Sequence, residues 1–278
     1  FTNSGTFKKT TGTGTTTFNT NFALTVNNTS TGTIDVQSGT LALAGGTVFN
    51  NEGQVTVAAG KTLSLAASGS GAGAGDYTLA SGAAVNLTAG TQTFTSGADV
   101  GGAGLFNVNG GTMTVSATAM SADNLQLASG TLNGAGALTV DSALTWSGGT
   151  MSGAGSTTVA SGAGLTLSGS PNLVTRTFTS GSTTGVWSGT GATFNMAGTF
   201  VNAGTLEATG DSTLQAVSTT GVFTNSGTFK KATGTGTTTF TTSNPLTVNN
   251  TGTGTIDVQS GTLALAGGTV FNNEGQVT

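Results

Sequence analysis

The chain has 278 residues, of which 48 are glycine, two are proline and none is cysteine, and its net charge is −4. An apolar fraction of 35% with so little charge argues against disorder, and the length allows a sizeable buried core. The composition excludes disulfides, thiolate metal sites, a clustered basic surface for nucleic acid and an apolar run of the roughly 20 residues that a membrane helix needs.

A long internal duplication relates the beginning of the sequence to its end. Residues 1–56 return without a gap at 223–278, so one period corresponds to residues 1–222. The copies differ at Thr10/Ala232, Asn19/Thr241, Asn21/Ser243, Phe22/Asn244, Ala23/Pro245 and Ser30/Gly252. Near-identity over this span indicates tandem repetition. We therefore expect the chain to be a window of about one and a quarter periods from a longer array.

Short apolar–polar–apolar segments follow one another from residue 31 onward. Because strand side chains alternate between faces, each segment places two apolar residues in one core. In chain order, the pairs are Ile34/Val36, Leu41/Leu43, Val55/Val57, Leu63/Leu65, Phe106/Val108, Met113/Val115, Leu138/Val140 and Leu144/Trp146. Thr, Val and Leu favour strands, and Gly, Asn and Ser supply turns, so the chain is predicted to be all-β.

The spacing of the turns predicts the fold. Glycine-containing turn triplets begin at positions 110, 129 and 148, which are evenly spaced. Similar segments headed by Phe200, Phe223, Val248 and Phe271 follow at slightly longer intervals. Without any helical periodicity, this spacing predicts a parallel β-helix (β-solenoid) with coils of about 19–25 residues, continuous over residues 1–278. A sandwich or barrel is the alternative, although those folds prefer longer strands and hairpin turns.

Asparagine and phenylalanine recur at regular places in these segments. Asparagine occupies positions 3, 27–28, 50–51, 202, 225, 249–250 and 272–273, and can favour turns or stack as an amide ladder from coil to coil. The ladder candidates are Asn3, Asn27, Asn50, Asn202, Asn225, Asn249 and Asn272, with ligand binding as the alternative. The candidates for an aromatic core stack are Phe7, Phe49, Phe200, Phe223, Phe229 and Phe271.

Two other stretches suggest a surface role. Lys8-Lys9, which returns as Lys230-Lys231, is the only basic doublet. It suits a solvated edge that discourages strand pairing, or a contact with acidic groups of a neighbouring rod. The threonine-rich run 11–18 resembles an ice-binding face, but the coils that follow do not repeat it. Trp146 and Trp187 lie at inward phases, where they do not form an exposed sugar-binding strip.

The sequence offers little material for catalysis. It has no His or Cys, one Tyr (Tyr77) and one Arg (Arg176), and its only closely spaced carboxylates are Glu207 and Asp211. The segment 71–76 ("GAGAGD") lacks the Lys-Ser/Thr and the helix of a phosphate-binding loop, and we expect it to be a loose loop. We therefore expect no enzyme, no cofactor and no metal site.

Four segments resemble a known group of proteins: "FTNSGTF" at 1–7, "GTIDVQSGTLALAGG" at 32–46, "FNNEGQVT" at 49–56 and "FVNAGTLEA" at 200–208. They look like the strand repeats of giant bacterial surface proteins, namely autotransporter passengers and filamentous-haemagglutinin-like adhesins. The resemblance implies a right-handed parallel β-helix at the cell surface or outside the cell. It also implies a rod that spaces, coats or adheres.

Three functions follow as hypotheses. The first is a structural fibre or stalk whose partners are other copies of the repeat, joined along the axis and by lateral contacts. The second is an adhesin module that binds carbohydrate or a surface receptor, with the less regular stretch 66–104 as its candidate region. The third is ice binding, which would require an uninterrupted rank of threonines.

Overall fold

The structure is a computed structural model that describes residues 1–18, 22, 24–67, 69–116, 118–218, 221–241 and 244–278. These residues contain strands and turns but no helix, and the parallel strands stack in about 12 turns. The predicted β-solenoid fold is therefore confirmed. The chain divides into two compact units, Phe1–Thr139 and Val140–Thr278, which are described in turn. One continuous solenoid over residues 1–278 stays a prediction.

Unit 1 consists of short strands, most of them four residues long. They are β1 (Thr2–Asn3), β2 (Thr6–Lys9), β3 (Thr15–Phe18), β4 (Thr25–Asn28), β5 (Thr33–Val36), β6 (Thr40–Gly45), β7 (Val48–Asn51), β8 (Gln54–Val57), β9 (Thr62–Ala67), β10 (Ser70–Gly73), β11 (Tyr77–Leu79), β12 (Ala84–Leu87), β13 (Thr91–Phe94), β14 (Asp99–Gly101), β15 (Leu105–Val108), β16 (Thr112–Val115), β17 (Ala119–Leu127) and β18 (Thr131–Asn133). Strand β19 (Ala137–Trp146) includes the division between the units.

The strands of unit 1 form three parallel stacks: every third strand returns to the same face as far as β16, and the long β17 belongs to two stacks. The first stack contains β1, β4 and β7, followed by β10, β13, β16 and β18. The second contains β2, β5, β8, β11, β14 and the first part of β17. The third contains β3, β6, β9, β12, β15 and the last part of β17.

Unit 2 has the same organisation. Its strands are β20 (Thr150–Met151), β21 (Ser156–Val159), β22 (Gly164–Leu167), β23 (Asn172–Leu173), β24 (Thr177–Ser180), β25 (Gly185–Trp187), β26 (Thr193–Met196), β27 (Thr199–Asn202), β28 (Thr205–Ala208), β29 (Thr213–Ala216), β30 (Val222–Asn225), β31 (Thr228–Lys231), β32 (Thr237–Thr241), β33 (Thr247–Asn250), β34 (Thr255–Val258), β35 (Thr262–Leu265), β36 (Val270–Asn273) and β37 (Gln276–Val277). Three stacks begin at β20, β21 and β22, and each again takes every third strand.

The register shows how long each turn is. Phe106 pairs with Leu125, so this turn has 125 − 106 = 19 residues, which is the lower limit of the predicted range. Thr6 pairs with Thr33, and the copies Thr228 and Thr255 pair in the same way, so these two turns are longer than any predicted. These longer turns have five residues between β2 and β3 and between β31 and β32, whereas only three separate β5 from β6.

The core is made by the alternate residues that the pattern placed inward. All eight apolar pairs predicted from the sequence are buried. Segment 71–76 differs from the expectation of a loose loop, since residues 70–73 form β10 and pack against β7. Gly73 is required there because a Cβ would overlap the main-chain oxygen of Asn51.

Candidate functional site

An asparagine ladder runs through unit 2 and is the most extended polar feature there. Each Nδ2 donates a 2.8 Å hydrogen bond to the Oδ1 on the next turn: Asn202 to Asn225, Asn225 to Asn250, and Asn250 to Asn273. The second N–H group of these three donors binds a main-chain carbonyl, at Thr228, Thr255 and Gln276 respectively. The three donor amides are buried and are paired in one direction, whereas Asn273 is exposed. At the other end of the row, Asn202 Oδ1 is buried and accepts no hydrogen bond from the described residues.

Unit 1 contains the copy of this ladder. Asn3 donates to Asn28, and Asn28 donates to Asn51, both at 2.8 Å. Beyond Asn51 lies the buried hydroxyl of Tyr77, and burial raises the pKa of this phenol while the Asn51 side chain opposes the shift. Within the described residues, neither the Tyr77 hydroxyl nor Asn51 Nδ2 has a partner in good hydrogen-bond geometry. The ladder of unit 1 therefore ends at a poorly satisfied pair.

A second row of asparagines lies on the outer face of the same strands. Asn50 donates to Asn27 at 2.9 Å in unit 1, and Asn272 donates to Asn249 at 2.8 Å in unit 2. Strand alternation thus splits each asparagine doublet: the first residue joins the outer row and the second joins the ladder, which is buried at Asn28, Asn51 and Asn250 and exposed at Asn273. All seven predicted positions take part in one of the two rows. The inner members that the candidate set lacked are Asn28, Asn51, Asn250 and Asn273.

The turn role given to these asparagines is wrong. They lie in strands, and no described residue other than glycine has a positive φ. Glycine instead makes room for the ladder where the chain turns. A Cβ on Gly32 would overlap Asn28 Oδ1 and the Asn3 carbonyl, and Gly254 stands in the same relation to Asn250 and Asn225.

The aromatic stack forms for most of its predicted members. Phe200, Phe223 and Phe229 are buried, with ring centroids 5.3 Å apart for the first two and 5.9 Å for the last two. Phe49 is also buried, with 4% of its surface exposed. Phe7 is half-buried and packs edge-on against Phe18. Phe271, the copy of Phe49, is 38% exposed; β10 covers the face of Phe49, whereas no described strand lies over Phe271, so its place in a core stack stays a prediction.

The lysine doublets do not form exposed basic patches. Lys8 is half-exposed and pairs with Asp35 at 3.6 Å, within its own molecule. Lys9 is buried, and its Nζ donates to the carbonyls of Thr11 and Gly12 at 3.3 Å. The interpretation of the doublet as a solvated edge is therefore wrong for Lys9, because Lys9 follows Phe7 at the inward phase of β2.

Lys231, the copy of Lys9, is fully buried. Its Nζ donates to the Thr233 carbonyl at 3.4 Å and lies 3.7 Å from Asp211 Oδ1. Asp211 therefore faces a lysine, and the register places Glu207 beside Lys230. Lys9 and Lys231 cannot contact a neighbouring molecule, so an intermolecular contact remains a prediction for Lys8 and Lys230 only.

Arg176 is a second buried cation in unit 2. Its Nε donates to Thr157 Oγ1 at 2.7 Å, and its guanidinium also donates to the carbonyls of Ser156 and Ser152. Burial lowers the pKa of Arg176 to about 10, so the group stays charged at neutral pH. These hydrogen bonds of Arg176 join turns within the unit and point to a structural role.

Trp146 and Trp187 are buried, as predicted.

A polar groove lies on the surface of unit 1, beside the outer asparagine row. It consists of two adjoining depressions of about 420 and 210 Å³, which share Ser30 and Glu52. Thr2, Asn27 and Asn50 line one part, and Asp76 closes the other. Its lining contains side-chain amides, hydroxyls and two carboxylates, and the described residues add no aromatic ring and no basic side chain to it.

Among the described residues, no three acidic side chains group as metal ligands, and no helix is long and apolar enough to cross a membrane. Comparison of the chain with protein-family models, with curated proteins and with solved structures gives no match.

Proposed function

We propose that this chain is a structural segment of a tandem-repeat β-solenoid protein that forms an extracellular or cell-surface fibre or stalk. The proposal extends to giant bacterial surface proteins of the kind that the strand repeats resemble. One observation carries it: the duplicated sequence builds the same directional asparagine ladder, on the same parallel strands, in each unit. A ladder that is reproduced after each repeat suits a protein whose length is set by repeat number.

The role is mechanical. Each turn adds roughly 4.8 Å along the stack, so the roughly ten turns of one period add about 50 Å. Backbone hydrogen bonds and the side-chain ladder both connect successive turns, and stability then accumulates through neighbouring turns. Identical surface patches would recur at this spacing, which would let many weak lateral contacts between copies act together.

Two other functions receive less support. An exposed threonine face is interrupted after one turn, because Thr16 aligns with the buried Leu41 and Thr17 with Ala42. We therefore propose no ice binding. Nor do we propose an enzymatic role, since Asp211 pairs with Lys231 and Glu207 lies beside Lys230.

Cryo-electron microscopy of the native parent material tests the fibre. We expect long filaments with a strong layer line near roughly 4.8 Å and a longer axial repeat of about 50 Å. Short isolated particles without the longer repeat would contradict the structural role.

A further inference from the structure

The groove of unit 1 combines hydrogen-bonding groups that the fold itself leaves unused. Asn27 accepts from Asn50 through its Oδ1, and no described residue accepts from its Nδ2. Glu52 accepts only a long bond from the Ala74 amide, and Asp76 accepts from the Asp99 amide through one oxygen. The remaining carboxylate oxygens, the Asn27 amide protons and the Ser30 hydroxyl are exposed or half-exposed.

The size and the chemistry of this lining select a ligand class. The larger depression, at about 420 Å³, falls within the roughly 300–1,000 Å³ typical of small-molecule sites. The strands bearing Thr2, Asn27 and Asn50 are successive turns, so the row spans about 10 Å, which is disaccharide length. Neither Glu52 nor Asp76 forms an ion pair with a described residue, so these two carboxylates repel anionic ligands. A ligand with several hydroxyl groups suits this lining, because each hydroxyl can accept a hydrogen bond from the amide and donate one to a carboxylate.

We propose that this groove binds a neutral saccharide through the Asn27 amide, the Ser30 hydroxyl and the carboxylates of Glu52 and Asp76. No aromatic ring lines the groove, so stacking does not contribute and a single site is weak, with a millimolar Kd. Repetition along an array would convert weak sites into firm attachment. The proposal is independent of the fibre role, because loss of sugar binding would leave the axial periodicity intact.

The duplication supplies a control inside the same molecule. Thr224, Asn249, Gly252, Asn272 and Glu274 are the second-copy equivalents of Thr2, Asn27, Ser30, Asn50 and Glu52. Gly252 lacks the hydroxyl of Ser30. The second copy therefore carries an incomplete set of binding groups, and its variants report on general effects of the substitution.

The test is an NMR titration of the ¹⁵N-labelled chain with maltose, cellobiose and lactose, and with digalacturonate as the anionic probe. We expect at least one neutral disaccharide to produce saturable shifts at the amides of Gly53 and Gly75, which line the groove. Glu52→Gln should weaken binding about fivefold, because a charge-assisted hydrogen bond becomes a neutral one. The matched variant Glu274→Gln should leave the affinity within about twofold.

Several outcomes would overturn the proposal. One is the absence of saturable shifts with every neutral disaccharide up to about 50 mM, well above a millimolar Kd. Others are equal losses in Glu52→Gln and Glu274→Gln, stronger binding of digalacturonate, or loss of binding in EDTA, which would indicate a bridging cation. Ser30→Gly serves as the second variant, because the fold accommodates glycine at position 252, and it should also weaken binding.

Discussion

Removal of one buried ladder amide should destabilise the solenoid strongly. Asn225 is fully buried and takes part in three hydrogen bonds: it accepts from Asn202, and it donates to Asn250 Oδ1 at 2.8 Å and to the Thr255 carbonyl at 3.0 Å. Asn225→Ala loses all three, at about 1 kcal/mol each, and leaves Asn250 Oδ1 buried without a donor, at about 1–3 kcal/mol. We expect a loss of about 4–6 kcal/mol in the free energy of unfolding.

The outer row provides the matched control. Asn249 is half-exposed and accepts one bond from Asn272, in a position where water can replace it. Asn249→Ala should therefore cost less than about 1 kcal/mol. Asn225→Asp should be at least as harmful as Asn225→Ala at neutral pH, because a carboxylate cannot donate to Asn250 or Thr255. It should recover stability as the pH falls, since the protonated acid regains one donor.

Urea unfolding, followed by far-ultraviolet circular dichroism, gives the free energies, and amide hydrogen exchange locates the loss. Protection should fall first in β30 and β33, the strands joined by Asn225 and Asn250, because turns in a solenoid depend on their neighbours. Equal losses of stability in Asn225→Ala and Asn249→Ala would contradict a stabilising role of the buried ladder. Unchanged exchange in β30 and β33 would contradict it as well.

Three further predictions concern steric, ionic and pH effects. Gly73→Ala should cost about 2–4 kcal/mol in urea unfolding because its Cβ overlaps the Asn51 backbone, whereas Gly252→Ala, which faces open space and replaces a residue that is serine in the other copy, should be nearly neutral. Arg176→Lys should lower stability by about 2–4 kcal/mol in the same assay, since a single ammonium cannot reproduce the guanidinium fork. Burial raises the pKa of Tyr77, so its contribution to stability is complete below about pH 10 and is lost above it, when the unfolded phenol ionises. Tyr77→Phe should therefore reduce the fall in Tm between pH 8 and 11, at little cost at pH 7; an unchanged fall would contradict this.

The strands and the core could be predicted because both follow from a period of two. Ile34/Val36 and Leu144/Trp146, far apart in sequence, are both buried as the alternation requires. The same alternation also predicts which asparagine of each doublet faces inward, and these inner asparagines were missing from the ladder candidates. Asn28 lies two residues after Val26, which is buried, so strand phase alone places it inside and Asn27 outside.

The sequence could not show which groups accept hydrogen bonds from the polar side chains that face inward. Lys9 and Lys231 share the inward phase of Phe7 and Phe229, yet a buried ammonium is expected only where acceptors exist. Those acceptors are turn carbonyls and, for Lys231, the carboxylate of Asp211, and a local pattern does not predict either. The groove is equally dependent on tertiary structure, because its lining comes from separate turns.

The ladder also explains how so simple a sequence specifies one register. A strand rich in Thr, Val and Leu can slip by two residues and keep every inward side chain inward, so burial alone discriminates poorly. In unit 2, such a slip of β33 on β30 would set Asn250 against Phe223 and separate it from Asn225. Each displaced amide would be buried without its partners, at about 1–3 kcal/mol for each unsatisfied group. The asparagines therefore act mainly on register, and a protein that repeats its strands many times needs that discrimination at every turn.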